Sequence, residues 1–274
     1  MNISQAIEIV RQTNPGMVRT HNEDSITHDA DIGLVVLADG MGGYNAGEVA
    51  SGMAVAMVAA EMKQALSSVQ PYDLDASSEP IAASLLLDNA RKANAAIFQA
   101  SQSQPQCAGM GTTLVAALFY DNRVSVVHVG DSRLYRLRGG KYEQVTKDHS
   151  LLQEQIDSGL ISKEDAKLSR NKNLVTRAVG IDPDVEPEVH TYEALTGDTY
   201  LLCSDGLSDM VGDESVGQTL TMLEANLQLA ADQLVQMAND NGGRDNISVI
   251  LVKIKHEFPA QRSWLSRFME WFNK

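Results

Sequence analysis

Apolar residues along this chain follow two rhythms. Short runs at 5–10, 32–38, 112–120, 123–129, 133–137 and 141–145 are apolar throughout or alternate, which predicts strands, and Asp121–Asn122 and Gly139–Gly140 supply turns between neighbours. Apolar runs at 198–203 and 247–254 predict two more strands. Consecutive short strands joined by tight turns pair antiparallel. Segments 45–66 and 80–102 are instead Ala-rich with helical spacing (Val49, Met53, Ala56, Met57 and Ala60; Ile81, Leu85, Ala93 and Ile97), and Pro80 suits a first helical turn. The Ser-, Asp- and Pro-rich stretch 67–80 then joins two helices of a hairpin and marks no domain boundary. Residues 149–179 are polar and helical, and helices at about 213–224 and 227–239 separate the last two strands. Strands in the middle with helices in two separate pairs predict an α+β fold whose helices cover a two-sheet core.

Composition narrows the function. The 274 residues are 43% hydrophobic and 21% charged, ordinary globular values that suit one large domain. A net charge of −14 repels a phosphate backbone and attracts cations, so nucleic acid is set aside as a partner. The two cysteines, Cys107 and Cys203, form no disulfide framework and no metal-ligand spacing, which fits a reducing compartment. The chain shows neither a secretory signal pattern nor an apolar run of the ~18 residues of a membrane span, so the expectation is a soluble, cytoplasmic protein.

The chemistry concentrates at strand ends. Asp39 stands at the exit of LVVLADG, Asp131 at the exit of VSVVHVGD, Asp205 at the exit of YLLCSDG, and Asp245 at the entrance of GGRDNISVILV. Any one Asp–Gly reads as a turn. Four carboxylates at one rim are another matter: two of them about 5 Å apart repel by roughly 3 kcal/mol at an effective dielectric near 20, so a cluster needs counter-cations or raised pKa values. An all-oxygen site selects magnesium or manganese, and the absence of a D-x-[DN]-x-[DN]-G loop disfavours calcium. A pair of such ions supports in-line phosphoryl displacement. Arg19, in GMVRTHNED, has the planar fork that suits phosphate. Other phosphate chemistries fail: neither cysteine has Arg at the sixth following position, Asp182–Pro183–Asp184 lies in a polar stretch and not after a strand, and Gly109–Met110–Gly111 lacks the P-loop lysine. The six histidines show no paired zinc spacing.

With these residues in view, the sequence resembles the metal-dependent Ser/Thr protein phosphatases of the type 2C (PPM) family in their compact bacterial form. GMVRTHNED, LADGMGGYNAGEVAS, GMGTTLVAAL, HVGDSRLYRL, TKDHSLL, NLVTRAVG, LLCSDGLSDM and GGRDNISVILV occur in family order. The resemblance implies a β-sandwich of two antiparallel sheets flanked on each side by a pair of antiparallel helices. It implies that Asp39 bridges two catalytic ions, that the Gly40 carbonyl binds the second, and that Asp205 and Asp245 complete the first. Asp131 with Asp205 resembles a third, weaker ion site, Arg19 a holder of the substrate phosphate, and Glu23 and Asp24 ligands acting through water. Many eukaryotic members carry histidine where this chain has Met41, which leaves the general acid open.

The implied activity is hydrolysis of phosphoserine and phosphothreonine on proteins with Mg²⁺ or Mn²⁺, opposing a bacterial Ser/Thr kinase. The alternative is a catalytically weak module of the same fold that senses one regulatory partner. The expected organisation is a catalytic domain over 1–255, a flap at about 149–180 and a tail at 256–274. In that tail Trp264, Leu265, Phe268, Trp271 and Phe272 share one helical face. Docking of the tail on the chain's own surface is the favoured reading, with an anchor for a partner protein or a membrane surface the rival.

Overall fold

The computed structural model describes residues 3–43, 46–162, 165 and 174–260. Eleven strands form two sheets among these residues. The first is built from β1 (Ile7–Asn14), β7 (Arg133–Arg138), β8 (Lys141–Gln144), β10 (Thr199–Cys203) and β11 (Ile247–Ile254), in the order β1-β11-β10-β7-β8. The second contains β2 (Asp24–Asp29), β3 (Leu34–Met41), β5 (Leu114–Tyr120), β6 (Arg123–Val129) and β9 (Glu188–Glu193), in the order β2-β3-β5-β6-β9, with the two-residue β4 (Gly111–Thr112) on the end of β3. All recorded strand pairs are antiparallel. Asp121 and Asn122 have φ of 45° and 55°, and Gly139 and Gly140 have 55° and 80°, so both predicted turns are tight hairpins of the primed kind.

The layering follows from a period of two. In β3, Leu34, Val36 and Ala38 pack toward α2 (Ala46–Ala65) and α3 (Ile81–Ser103), whereas Val35 and Leu37 point into the space between the sheets. In β11, Val249 and Leu251 face the helices on the far side, and Ile250 and Val252 face the other sheet. Both faces of these strands are buried, so they read as continuous apolar runs. The remaining helices are α1 (Ile3–Ala6), α4 (Leu151–Asp157), α5 (Asp205–Ser208), α6 (Asp213–Met222) and α7 (Leu227–Asp240). With α6 and α7 covering the first sheet, the α+β architecture is the four-layer αββα sandwich.

Three details differ from the sequence reading. Strands β2 and β9 were not foreseen, because DSITHD and EVHTYE sit at sheet edges and are mostly half-buried, without an apolar run. Helix α2 buries Gly47, Ala50, Ser51, Ala54, Val55, Val58 and Met62, whereas the face chosen from periodicity leaves Val49 43% exposed. This helix is apolar nearly all round, so spacing alone does not choose a face, and the small side chains decide it. A Cβ added to Gly40 would lie 2.1 Å from the Gly47 carbonyl oxygen, so only a glycine-lined face lets α2 lie this close to β3. Packing of the domain also continues past residue 255, since Phe258 is buried between the sheets. Residues 261–274 and most of 160–172, on which the tail and flap expectations fall, lie outside the described residues. No helix among those described is long and apolar enough to cross a membrane.

Candidate metal centre

The predicted carboxylates converge at one end of the sandwich. Asp39 and Asp24 are cross-strand partners on β3 and β2. Asp131 follows β6 and precedes β7, Asp205 opens α5 after β10, and Asp245 precedes β11. Their charges act on one another. Burial, then the charges of Asp24, Asp205, Asp131 and Asp245, holds the Asp39 carboxyl well above the usual carboxylate range. Asp205 is displaced the same way by burial, followed by Asp131, Asp209, Asp245 and Asp24. Burial pushes Asp24 and Asp131 up to about 6 each. Burial also raises Glu23.

The chain fixes these groups through backbone hydrogen bonds. The Asp39 N–H donates to Thr113 Oγ1 (2.9 Å), and its carbonyl accepts from the Thr113 N–H (2.8 Å) and Thr112 Oγ1 (2.9 Å). Thr113 Oγ1 lies 2.7 Å from Ser132 Oγ, which ties the Asp39 and Asp131 strand ends together. The Gly40 N–H donates to the Glu23 carbonyl (3.1 Å). Ser204, just before Asp205, donates to Asp24 Oδ2 (2.9 Å) and accepts from the Ser248 N–H (3.0 Å). Arg133 grips Asp148 with Nε and Nη2 (2.9 and 2.7 Å) and so anchors the start of β7 two residues beyond Asp131.

Asn246 holds the remaining piece. Its Oδ1 accepts from the Glu23 N–H (2.7 Å), and its Nδ2 donates to the carbonyls of Pro15 (3.0 Å) and His21 (2.9 Å). The loop carrying Arg19, Glu23 and Asp24 is therefore fastened to the start of β11. Asn246→Ala strips partners from three backbone groups, one of them on half-buried Glu23 and two on exposed Pro15 and His21, and is expected to cost about 1–3 kcal/mol, measured by urea unfolding. A change below about 0.5 kcal/mol would mean that the loop holds itself.

Arg19 is exposed and donates from Nη2 to Asp245 Oδ2 at 2.7 Å, and this hydrogen bond raises its pKa. Sequence reasoning assigned these two residues to phosphate and to metal, and the structure brings them together. It also adds Asp209, four residues after Asp205, whose charge acts on both Asp131 and Asp205. Ser204, Thr113 and Asn246 were missed as well, although each adjoins or belongs to one of the motifs.

A divalent ion suits this donor set. The groups are hard oxygen donors, the neighbouring carboxylates raise one another's pKa, and the buried Asp24 Oδ1 has no hydrogen-bond partner among the described residues. A second cluster suits an ion less well. His128, His149 and Glu188 bring ligand atoms within 4.8 Å of one another, a grouping that sequence spacing does not reveal. Yet His149 Nδ1 accepts the Gly130 N–H (3.2 Å), which puts the neutral ring's proton on Nε2, facing Glu188 Oε1 at 3.2 Å. A metal-bound histidine needs the reverse, a lone pair toward the ion and an N–H on the other nitrogen. The cluster instead joins residue 149 to β9 and to the backbone beside Asp131.

Comparison with known proteins agrees with this geometry. Residues 18–250 match the family described as protein phosphatase 2C. The serine/threonine protein phosphatase PstP of Mycobacterium tuberculosis is 39% identical over 92% of this chain, which spans 46% of that protein's length. The serine/threonine phosphatase stp of Listeria monocytogenes is 38% identical, covering 88% of this chain and 94% of its own. The crystal structure of the PstP catalytic domain in complex with two manganese ions superposes with a TM-score of 0.79 at 38% identity, over 91% of this chain and 99% of that one. A family match over most of the length, relatives at this identity and a shared sandwich establish that the chain belongs to the protein phosphatase 2C family of metal-dependent serine/threonine phosphatases.

Proposed function

We propose that this chain hydrolyses phosphoserine and phosphothreonine monoesters on proteins and opposes a bacterial Ser/Thr kinase. The observation that carries the reading is the convergence of Asp24, Asp131 and Asp245 on Asp39 and Asp205, since the charges of those three act on both. Asp39, the Gly40 carbonyl, Asp205 and Asp245 would hold two ions, and Asp131 with Asp205 and Asp209 a third, Mg²⁺ or Mn²⁺ in each case. When bound, such ions lower the pKa of water and neutralise phosphate oxygens.

The chain's own groups supply binding and order. Arg19 engages Asp245 through one nitrogen and retains further N–H donors for a phosphate oxygen pair. Glu23 and Asp24 lie beside Asp39 and would act on the ions through water. The base of the proposed flap, at residues 149–151, is bonded to the loop carrying Asp131, since the His149 N–H donates to the Gly130 carbonyl (2.9 Å). A protein substrate lying over the site would meet the described start of this segment, and the proposed flap, at about 149–180, would help to choose among substrates.

Phosphate release from a phosphothreonine peptide tests the reading. Turnover should require added Mn²⁺ or Mg²⁺ and stop in chelator; an inert enzyme with Mn²⁺ present would favour the sensor module instead. Arg19→Ala should raise KM about 10–100-fold. Its Mn²⁺ affinity should be unchanged or higher, because Arg19 no longer competes for Asp245. An unchanged KM with collapsed Mn²⁺ affinity would assign Arg19 to organising Asp245.

A further inference from the structure

A groove of about 280 Å³ opens at the end of the sandwich opposite the carboxylates, lined by Ile3, Ile32, Leu66, Pro71, Tyr72 and Phe119 among others. Its position follows from strand direction. β3 runs from Leu34 beside the groove to Asp39 in the centre, about 17 Å at the usual rise per residue. The groove bridges two cores, because Ile32, Leu66 and Tyr72 pack under the α2–α3 layer while Ile3 and Phe258 belong to the space between the sheets. Asp31 and Asp121 stand at its edge.

The chain enters this groove after its last strand. Lys255 and His256 donate their N–H groups to the Ala6 carbonyl (2.7 and 3.1 Å), Phe258 donates to Asn122 Oδ1 (2.6 Å), and Ala260 donates to Asp121 Oδ1 (2.8 Å). Phe258, Pro259 and Ala260 thereby form one wall of the groove. The next residues read QRSWLSRFMEWFNK, with Trp264 four positions beyond Ala260, within about 14 Å of extended chain.

We infer that residues 261–274 dock on this groove of their own chain, seating Trp264 and Phe268 against Ile32, Leu66 and Tyr72, with Arg262 and Arg267 beside Asp31 and Asp121. The occupant is set by three features of the molecule. The segment begins at the groove wall, so its effective concentration there is high and the cost of association low. Its charges, Arg262, Arg267 and Lys274 against Glu270, oppose those of the groove edge. The volume suits about one or two large side chains, whose burial removes apolar surface that the segment otherwise exposes to water. An anionic membrane is the weaker match, because the chain carries −14 overall and only three basic residues lie in the segment.

The chain's two tryptophans, Trp264 and Trp271, both lie in this segment, so the intrinsic tryptophan emission of the full chain reports on it alone. Docking predicts blue-shifted emission, weak acrylamide quenching and no dependence on protein concentration. Leu66→Glu on the groove, and Arg262→Glu with Arg267→Glu on the segment, should each shift emission to the red and raise quenching several-fold. The second variant leaves every described residue in place. Removing 261–274 should lower Tm by several degrees and leave aryl-phosphate turnover unchanged, since the groove is remote from the centre. Solvent-exposed emission in the native chain, shielding that grows with concentration, shielding that needs anionic vesicles, or an unchanged Tm on truncation would each overturn the inference.

Discussion

Asp39→Asn is expected to lower turnover by about 10²–10³-fold or more while raising the thermal stability of the metal-free protein. The loss follows from position: Asp39 is the carboxylate on which the charges of Asp24, Asp205, Asp131 and Asp245 all act, so an ion neutralising the cluster is expected to engage it. The gain follows from the same fact. An amide keeps the shape and removes one charge from a set of like charges at the rim, and relief of even part of one ~3 kcal/mol repulsion is measurable. The Asp39 backbone bonds to Thr112 and Thr113 do not involve the side chain and persist. Opposite signs for activity and metal-free stability separate a cation-binding centre from general damage. The checks are steady-state kinetics with Mn²⁺ and a melting curve in chelator. A variant that loses both would show that Asp39 supports the fold without Mn²⁺.

The stabilisation conferred by Mn²⁺ should grow steeply between about pH 5 and pH 7. Asp24 and Asp131 hold protons in the folded state up to about 6, against 3.8 for an ordinary aspartate. At pH 5 the folded chain therefore binds more protons than the unfolded chain, and metal-free stability from these groups falls as pH rises toward 6. Each displacement of about two pH units corresponds to roughly 3 kcal/mol. His149, held down to about 4 by burial, works with the opposite sign, losing stability as pH falls below 6.5. That contribution is common to metal-free and metal-loaded protein, so the difference between their melting temperatures isolates the carboxylates. Ions replace protons at the centre, and the difference should widen by on the order of 10 °C from pH 5 to pH 7. Thermal melts in chelator and in Mn²⁺ across this range check it, and an increment independent of pH would contradict the assignment.

Sequence patterning made most of the sandwich legible because its central strands are buried on both faces and read as unbroken apolar runs. It failed where burial is partial or uniform. Strands β2 and β9 carry polar edges, and α2 is apolar all round, so only the close approach of Gly40 and Gly47 selects its buried side. The carboxylates were legible because each ends or begins an apolar strand. Asp209 was not, since it caps the C-terminal end of the short α5 and its relation to Asp131 exists only in three dimensions. Asn246, Ser204 and Thr113 escaped notice because a hydrogen bond to backbone leaves no periodic trace. His128 and His149 stack at 4.6 Å between ring centroids although 21 positions separate them, a proximity created by the hydrogen bonds between residues 130 and 149.

Anomalous scattering from Mn²⁺-soaked crystals of the full chain tests the central claim most directly, because it locates ions without reference to activity. The expected result is two strong manganese peaks touching Asp39, one of them also within coordination distance of Asp205 and Asp245, and a weaker third near Asp131. Manganese at His128, His149 and Glu188 with none at Asp39, or no manganese at all, would contradict the account.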